Sequence, residues 1–357
     1  MLNFYPGPSK LHPNIEAFTL NSLRSGIVER NHRSSEFAKL YQAVKLGMQE
    51  KLGLPQEYEV VFTSSATECW EIITESLVVE GSLHVVEGAF GEKWYEYAKK
   101  IKANCKQEGS FSALETYQNT QAGYPELLAV THNETSNGTA IRIADQKWLR
   151  EQFPSALIAY DATSSMAGVS LAWELGDIWF ASVQKCFGLP SGLALLILSP
   201  QAIVRARNVG AHQHYNSLPF ILDNAEKGQT HYTPNILTID LLRQVLEASA
   251  SISKTDELIR DRASWLYSEL SQLSYLRPYV EEEANRSETV ICLRCNKETI
   301  EQLKTQSVQK DILLGNGYGQ LKTDTIRIAN FPAIPDEAYY ELLNFLKDFE
   351  ISLKKKK

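Results

Sequence analysis

Lys185 stands in Ala181-Ser182-Val183-Gln184-Lys185-Cys186-Phe187-Gly188-Leu189-Pro190-Ser191-Gly192, just past an apolar stretch and ahead of glycines and a proline. A lysine in that setting is partly desolvated, which lowers its pKa toward an amine able to form a Schiff base. Upstream, Ala156-Leu157-Ile158-Ala159-Tyr160-Asp161 is an apolar run ending in a carboxylate, at the place where open parallel sheets bind ligands. An aspartate there can hold a protonated pyridine nitrogen, or it can simply cap a turn. A third segment, Phe62-Thr63-Ser64-Ser65-Ala66-Thr67-Glu68, reads as strand, small-residue turn and helix start. Its backbone N–H groups and helix N-terminus suit a phosphate, with the Thr67 hydroxyl as a further donor. The same residues also read as an ordinary helix start with Thr67 in the cap position. A Schiff-base lysine paired with an aspartate on a ring nitrogen is what pyridoxal phosphate needs to act as an electron sink.

Alternating elements must position these groups. Glu36 to Leu52 and Thr67 to Val78 have helical spacing, while Glu59 to Phe62, Leu127 to Thr131, Ala156 to Tyr160, Ile178 to Ala181 and Ala194 to Leu198 read as strands. That alternation predicts an α/β fold with a mostly parallel sheet covered by helices. Leu237 to Leu273 reads as long helical material. Strands near Glu288 to Arg294 and Thr325 to Ala329 follow, then a final helix from Asp336 to Phe349, making a smaller C-terminal α+β domain. The expected division is an N-terminal segment at 1–14 packed on the small domain, a large domain at 15–245 and the small domain at 246–357.

A chain of 357 residues, 43% of them hydrophobic, can bury a large core and more than one domain. Its net charge of -7, with no extended basic stripe, gives a nucleic-acid surface little support and points to small-molecule substrates. The opening residues lack an apolar signal core and no apolar run reaches membrane length, so a cytoplasmic location is expected. Five cysteines, an odd number, fit a reducing compartment. Cys292 and Cys295 form a C-x-x-C inside an apparent strand, where residues three apart point to opposite faces. No second Cys/His pair stands nearby, so neither a metal nor a redox site is expected. The closing run Lys354 to Lys357 reads as a solvated tail.

Four separated segments carry a family resemblance: Asn3-Phe4-Tyr5-Pro6-Gly7-Pro8, His32-Arg33-Ser34-Ser35-Glu36-Phe37, Asn133-Glu134-Thr135-Ser136-Asn137-Gly138 and Gln184-Lys185. In that order they resemble class V pyridoxal-phosphate-dependent aminotransferases of the phosphoserine type, and the match runs nearly end to end. The resemblance implies fold type I, with a mostly parallel seven-stranded sheet sandwiched by helices. It implies Lys185 as the Schiff-base lysine and Asp161 as the pyridine-nitrogen partner. Thr135 would bond the ring hydroxyl and Phe90, at a position usually occupied by tryptophan, would stack on the ring. Ala66, Thr67, Thr163 and Gln184 would hold the cofactor phosphate. Tyr232 and Thr233 would join them from the neighbouring subunit of an obligate homodimer. Arg327 would fork the substrate α-carboxylate, as a planar guanidinium can, and His32 and Arg33 would meet a distal anion. Catalysis would be ping-pong transamination between amino acids and 2-oxo acids, with Lys185 moving the Cα proton.

Departures bear on the substrate. Phosphoserine enzymes typically carry an arginine where this chain has Glu68 and a His-Arg pair where it has Gln320-Leu321. Charge-assisted hydrogen bonds are worth about 1.5–3 kcal/mol each, so losing two or three unreplaced would cost phosphoserine recognition roughly three to nine kcal/mol. Lys322 is a candidate replacement. Gly317-Tyr318-Gly319-Gln320-Leu321-Lys322 also resembles the corresponding loop of alanine-glyoxylate aminotransferases, so a small amino acid donor of the alanine-glyoxylate or serine-pyruvate type stays open. A cysteine desulfurase would need a reactive cysteine on a mobile loop and usually histidine before the lysine, where this chain has Gln184. A non-catalytic cofactor-binding domain would have little reason to keep Lys185, Asp161 and Arg327 together.

Overall fold

The computed structural model describes residues 1–109, 114 and 125–355; Lys356 and Lys357 of the closing lysine run lie outside them. Seven strands lie side by side in the order β2 (Glu59–Thr63), β10 (Ala194–Leu198), β9 (Ile178–Ser182), β8 (Leu157–Asp161), β5 (Leu127–Thr131), β3 (Leu83–Val85) and β4 (Lys106–Glu108). All run one way except β10, which is antiparallel to both β9 and β2, while β6 (Asn133–Glu134) and β7 (Thr139–Ala140) form a separate antiparallel pair. The sequences of β5, β8, β9 and β10 are apolar at almost every position, and each residue in them is buried. That is the signature of a sheet covered on both faces. The mostly parallel seven-stranded sheet is therefore as expected.

Among the described residues, the α-helices packed around this sheet are α1 (Ile15–Ser25), α2 (Ser35–Leu52), α3 (Ala66–Leu77), α4 (Ala89–Ile101), α5 (Ile143–Gln152), α6 (Pro200–Val209), α7 (Leu218–Ala225) and α8 (Ile236–Ala248). Several starts are set locally: Ser34, Ser65, Ser199 and Ser217 each accept a hydrogen bond from the backbone N–H three residues on. The helical block expected from Leu237 to Leu273 is two helices, α8 and α9 (Ile252–Ser271). The break falls at Ser249-Ala250-Ser251, where Ser249 and Ser251 both have extended backbone. Val245 and Leu246 still belong to the large apolar core around the seven-stranded sheet.

A second core gathers Phe4, Leu266, Leu270 and the apolar residues from Leu273 to Phe349. It surrounds a five-stranded sheet in the order β1 (Leu2–Phe4), β13 (Ile312–Asn316), β14 (Thr325–Ala329), β12 (Val290–Arg294) and β11 (Arg277–Pro278). Only β1 and β13 pair in parallel. Helices α10 (Lys297–Gln309) and α11 (Asp336–Lys354) are the remaining described α-helices of this part. Buried Arg262 on α9 donates to Asn330 Oδ1, Phe331 O, Ile334 O and Asp336 Oδ1, at 2.6–3.0 Å. Its guanidinium thereby fixes the turn that follows β14. Cys292 and Cys295 are buried free thiols, and among the described residues no His/Cys/Asp/Glu cluster could hold a metal ion. No described helix is long and apolar enough to cross a membrane.

Candidate active site

The carboxyl ends of five strands that run the same way deliver side chains to one cavity of about 270 Å³. After β2 come Ala66 and Thr67; after β3, Phe90; after β5, Asn133 and Thr135; at and after β8, Asp161 and Thr163; and after β9, Gln184 and Lys185. The small sheet contributes Arg327 from β14 and Tyr318 from the turn before it. Tyr5, Pro6, Gly7 and Pro8 close a further side. Their path is held by Ser9 N donating to Gln184 O at 3.1 Å. Gly7 has φ +149, and a Cβ there would lie 3.0 Å from Lys185 Cε. Only glycine combines that backbone with so close an approach to the lysine.

Lys185 is buried, and its Nζ donates to Thr135 Oγ1 at 2.7 Å. The Thr135 hydroxyl donates in turn to Ser164 Oγ at 2.9 Å, and Ser164 Oγ donates to Asn133 O at 2.8 Å. Burial lowers the Lys185 pKa from 10.5 to about 8, with Asp161 pulling it up and Arg327 pushing it down. An amine of that pKa has a far larger neutral, nucleophilic fraction near physiological pH than an ordinary lysine. Burial pushes the Asp161 carboxyl upward, against the pull of the Thr163 hydroxyl and amide and of Lys185. The Thr163 amide donates to Asp161 Oδ1 at 3.0 Å. The Phe90 ring centroid lies 5.5 Å from Lys185 Nζ and 4.9 Å from the Tyr318 ring centroid.

Arg327 is buried with two donors committed: Nε to Asn316 O at 2.6 Å and Nη1 to Thr135 O at 2.8 Å. Among the described residues its Nη2 has no hydrogen-bond partner, leaving N–H groups for a ligand carboxylate. Tyr318 lies beside it, 5.6 Å from guanidinium carbon to ring centroid, and accepts from Lys93 Nζ at 2.6 Å.

These residues fit pyridoxal phosphate on grounds independent of resemblance. Among the described residues the buried Thr131 Oγ1, which lines the cavity, has no hydrogen-bond partner, and Thr163 Oγ1 and Trp70 Nε1, which also line it, have none beyond the influence they exert on the Asp161 carboxyl. Leaving such groups unpaired is costly, so a polar ligand is called for. The cavity further offers a depressed-pKa amine, a buried carboxylate for a ring nitrogen, an aromatic face and the N-terminus of α3 for a phosphate.

Nine of the sequence-derived site residues border the cavity: Ala66, Thr67, Phe90, Thr135, Asp161, Thr163, Gln184, Lys185 and Arg327. His32, Arg33, Tyr232 and Thr233 do not border it in their own chain. His32 and Arg33 precede α2, with Arg33 exposed; Tyr232 is half-buried and Thr233 exposed ahead of α8. Trp70, Thr131 and Ser182 were not anticipated. Trp70 was open to detection, since it follows Thr67 by three residues on one helix and so shares its face. Cys186, next to the lysine, is buried against Ser164 O with its thiol pushed up to about 12, unlike a reactive sulfur.

The sequence model of the family described as aminotransferase class-V matches residues 3–319. A crystal structure of a phosphoserine aminotransferase from Cytophaga hutchinsonii is 32% identical, with a TM-score of 0.87, and the match covers 97% of this chain and 98% of that one. The phosphoserine aminotransferase of Nocardioides sp. is 30% identical over 95% of this chain and 92% of its own. The alanine–glyoxylate aminotransferase from Nostoc sp. shares the fold, with a TM-score of 0.80 at 19% identity, covering 98% of this chain and 95% of its own. With its lysine, aspartate and arginine gathered in one cavity and a family match spanning most of its length, the chain belongs to the class V aminotransferases, the pyridoxal-phosphate-dependent transaminases.

Proposed function

We propose that the protein transfers the amino group of phosphoserine to 2-oxoglutarate, giving 3-phosphooxypyruvate and glutamate in serine biosynthesis. The observation that carries this reading is the convergence of Lys185, Asp161 and Arg327 in one cavity of a chain 32% identical to a phosphoserine aminotransferase. Pyridoxal phosphate, when bound, supplies an electron sink that lets the substrate Cα–H ionise. Asp161 would pair with the ring nitrogen, Phe90 would cover the ring, and Ala66, Thr67, Thr163 and Gln184 would hold the phosphate. Arg327 grips the substrate α-carboxylate through its uncommitted N–H groups, which orients Cα. Lys185 Nζ, steered by Thr135, takes the Cα proton and returns it on the other side of the reaction as base and then acid. A second substrate reverses the steps, so the kinetics are ping-pong.

Glu68 Oε2 accepts from Ser64 N and Ser64 Oγ, both at 2.6 Å. Lys93 at Tyr318 is a cation available to a distal anion. We further propose a homodimer in which Tyr232, Thr233, His32 and Arg33 serve the neighbouring copy's cavity, and a domain division at residues 249–251 rather than at the expected 245, because α8 runs unbroken through 245 to Ala248. Gln320-Leu321, which supplies no cation, favours a second reading in which alanine or serine is the donor. The test is to mix cofactor-loaded protein separately with phosphoserine, glutamate, alanine and serine and follow loss of the cofactor's visible band. Fast conversion by phosphoserine and glutamate supports the first reading; conversion by alanine or serine alone replaces it with the second.

A further inference from the structure

Glu134 is almost fully buried, 1% exposed, and its charge acts on Lys185 and Arg327 without forming an ion pair with either among the described residues. A carboxylate in that position needs hydrogen-bond donors or becomes very costly. It has four. Oε2 accepts from Phe90 N at 3.1 Å and Gly91 N at 3.2 Å, and Oε1 accepts from Ser136 N at 3.0 Å and Ser136 Oγ at 2.6 Å. Ser136 Oγ also accepts from Ala89 N at 3.1 Å, and Asn137 Nδ2 donates to Glu87 O at 2.7 Å. The first three N–H groups of α4 are thus capped from a distant segment, since the residue before the helix, Gly88, has no side chain to do so. Gly88 also makes room for the cap: a Cβ there would lie 2.4 Å from Glu134 Cγ.

The two residues flanking this cap both touch the chemistry. Thr135, next in sequence, accepts from Lys185 Nζ, and its carbonyl accepts from Arg327 Nη1. Phe90, whose amide Glu134 holds, presents its ring to Lys185 Nζ at 5.5 Å. We propose that Glu134 is a positioning residue: by capping α4 it sets the height and tilt of the Phe90 ring over the cofactor, in register with Thr135 and Lys185. The inference rests on Phe90 facing the cofactor ring, as proposed above.

The experiment is a double-mutant cycle of Glu134→Gln and Phe90→Ala, read by the cofactor dissociation constant and by circular dichroism in the bound cofactor's visible band. Glutamine keeps one acceptor and presents an amide N–H₂ to donors that need the other. Each single variant is expected to weaken cofactor binding by about two- to tenfold, the range an aromatic face contributes, and to reduce the visible dichroism. In the Phe90→Ala background, Glu134→Gln is expected to add almost nothing. Multiplicative effects, or a Glu134→Gln protein with wild-type dissociation and dichroism, overturn the proposal. A silent Phe90→Ala variant instead overturns the placement of Phe90 over the ring. If Glu134→Gln does not fold, Ser136→Ala removes one donor to Oε1 and the acceptor for Ala89 N, and serves in the same cycle. There a non-additive loss supports the proposal and an additive one refutes it.

Discussion

The protonation of Lys185 makes a quantitative forecast. With its pKa lowered to about 8, the amine is neutral in about one molecule in eleven at pH 7; at an ordinary 10.5 the figure would be about one in three thousand. Capture of the cofactor aldehyde by the apoprotein requires the neutral amine. The second-order rate of capture should therefore rise about tenfold between pH 6 and 7 and level off above about pH 8. Stopped-flow absorbance at constant ionic strength measures it directly. Two variants move the curve in opposite directions and cancel the cofactor's own ionisations. Asp161 raises the Lys185 pKa, so Asp161→Asn should shift the plateau to lower pH. Arg327 lowers it, so Arg327→Met should shift the plateau to higher pH. A wild-type rate that keeps climbing through pH 10, or two variants that shift the same way, would refute the assignment of the lowered pKa to burial balanced between these neighbours.

Two further outcomes test the same site. Arg327→Lys keeps the charge but loses the planar fork, so kcat/KM for the amino donor should fall roughly ten- to a hundredfold, the value of one charge-assisted hydrogen bond; single-turnover rates check this, and an unchanged value would remove the arginine from substrate binding. Lys185→Ala should abolish transamination while leaving the far-ultraviolet circular dichroism of the apoprotein intact, and a variant that still turned over would remove the lysine from its role.

Much of this arrangement was legible because its signals are local. Strands Leu127–Thr131, Ala194–Leu198 and Thr325–Ala329 have the limits their apolar runs predict, and Asp161 and Lys185 could be placed from the ends of such runs. What was hidden depends on partners far along the chain. Leu83–Val85 and Leu2–Phe4 are three residues each, too short to show a period, and are strands only because neighbours supply the ladder. The continuous helical spacing after residue 237 masked the two serines that turn the backbone at 249–251. Glu134 lay within a recognisable segment, yet nothing near it in sequence says that its carboxylate caps a helix more than forty residues upstream.

The pairing of Leu2–Phe4 with Ile312–Leu314 has a consequence for biosynthesis. Leu2–Phe4 are made long before the strand they pair with, which lies about three hundred residues further along the chain. Until then Tyr5 to Pro8 have no sheet to hold them as a wall beside Lys185. The seven-stranded sheet, complete by residue 198, can fold early, but its lysine stays open to solvent on that side. Cofactor capture should therefore wait for the strand at 312–316, and a nascent chain stalled before residue 312 should hold pyridoxal phosphate poorly even with every residue of the larger sheet in place.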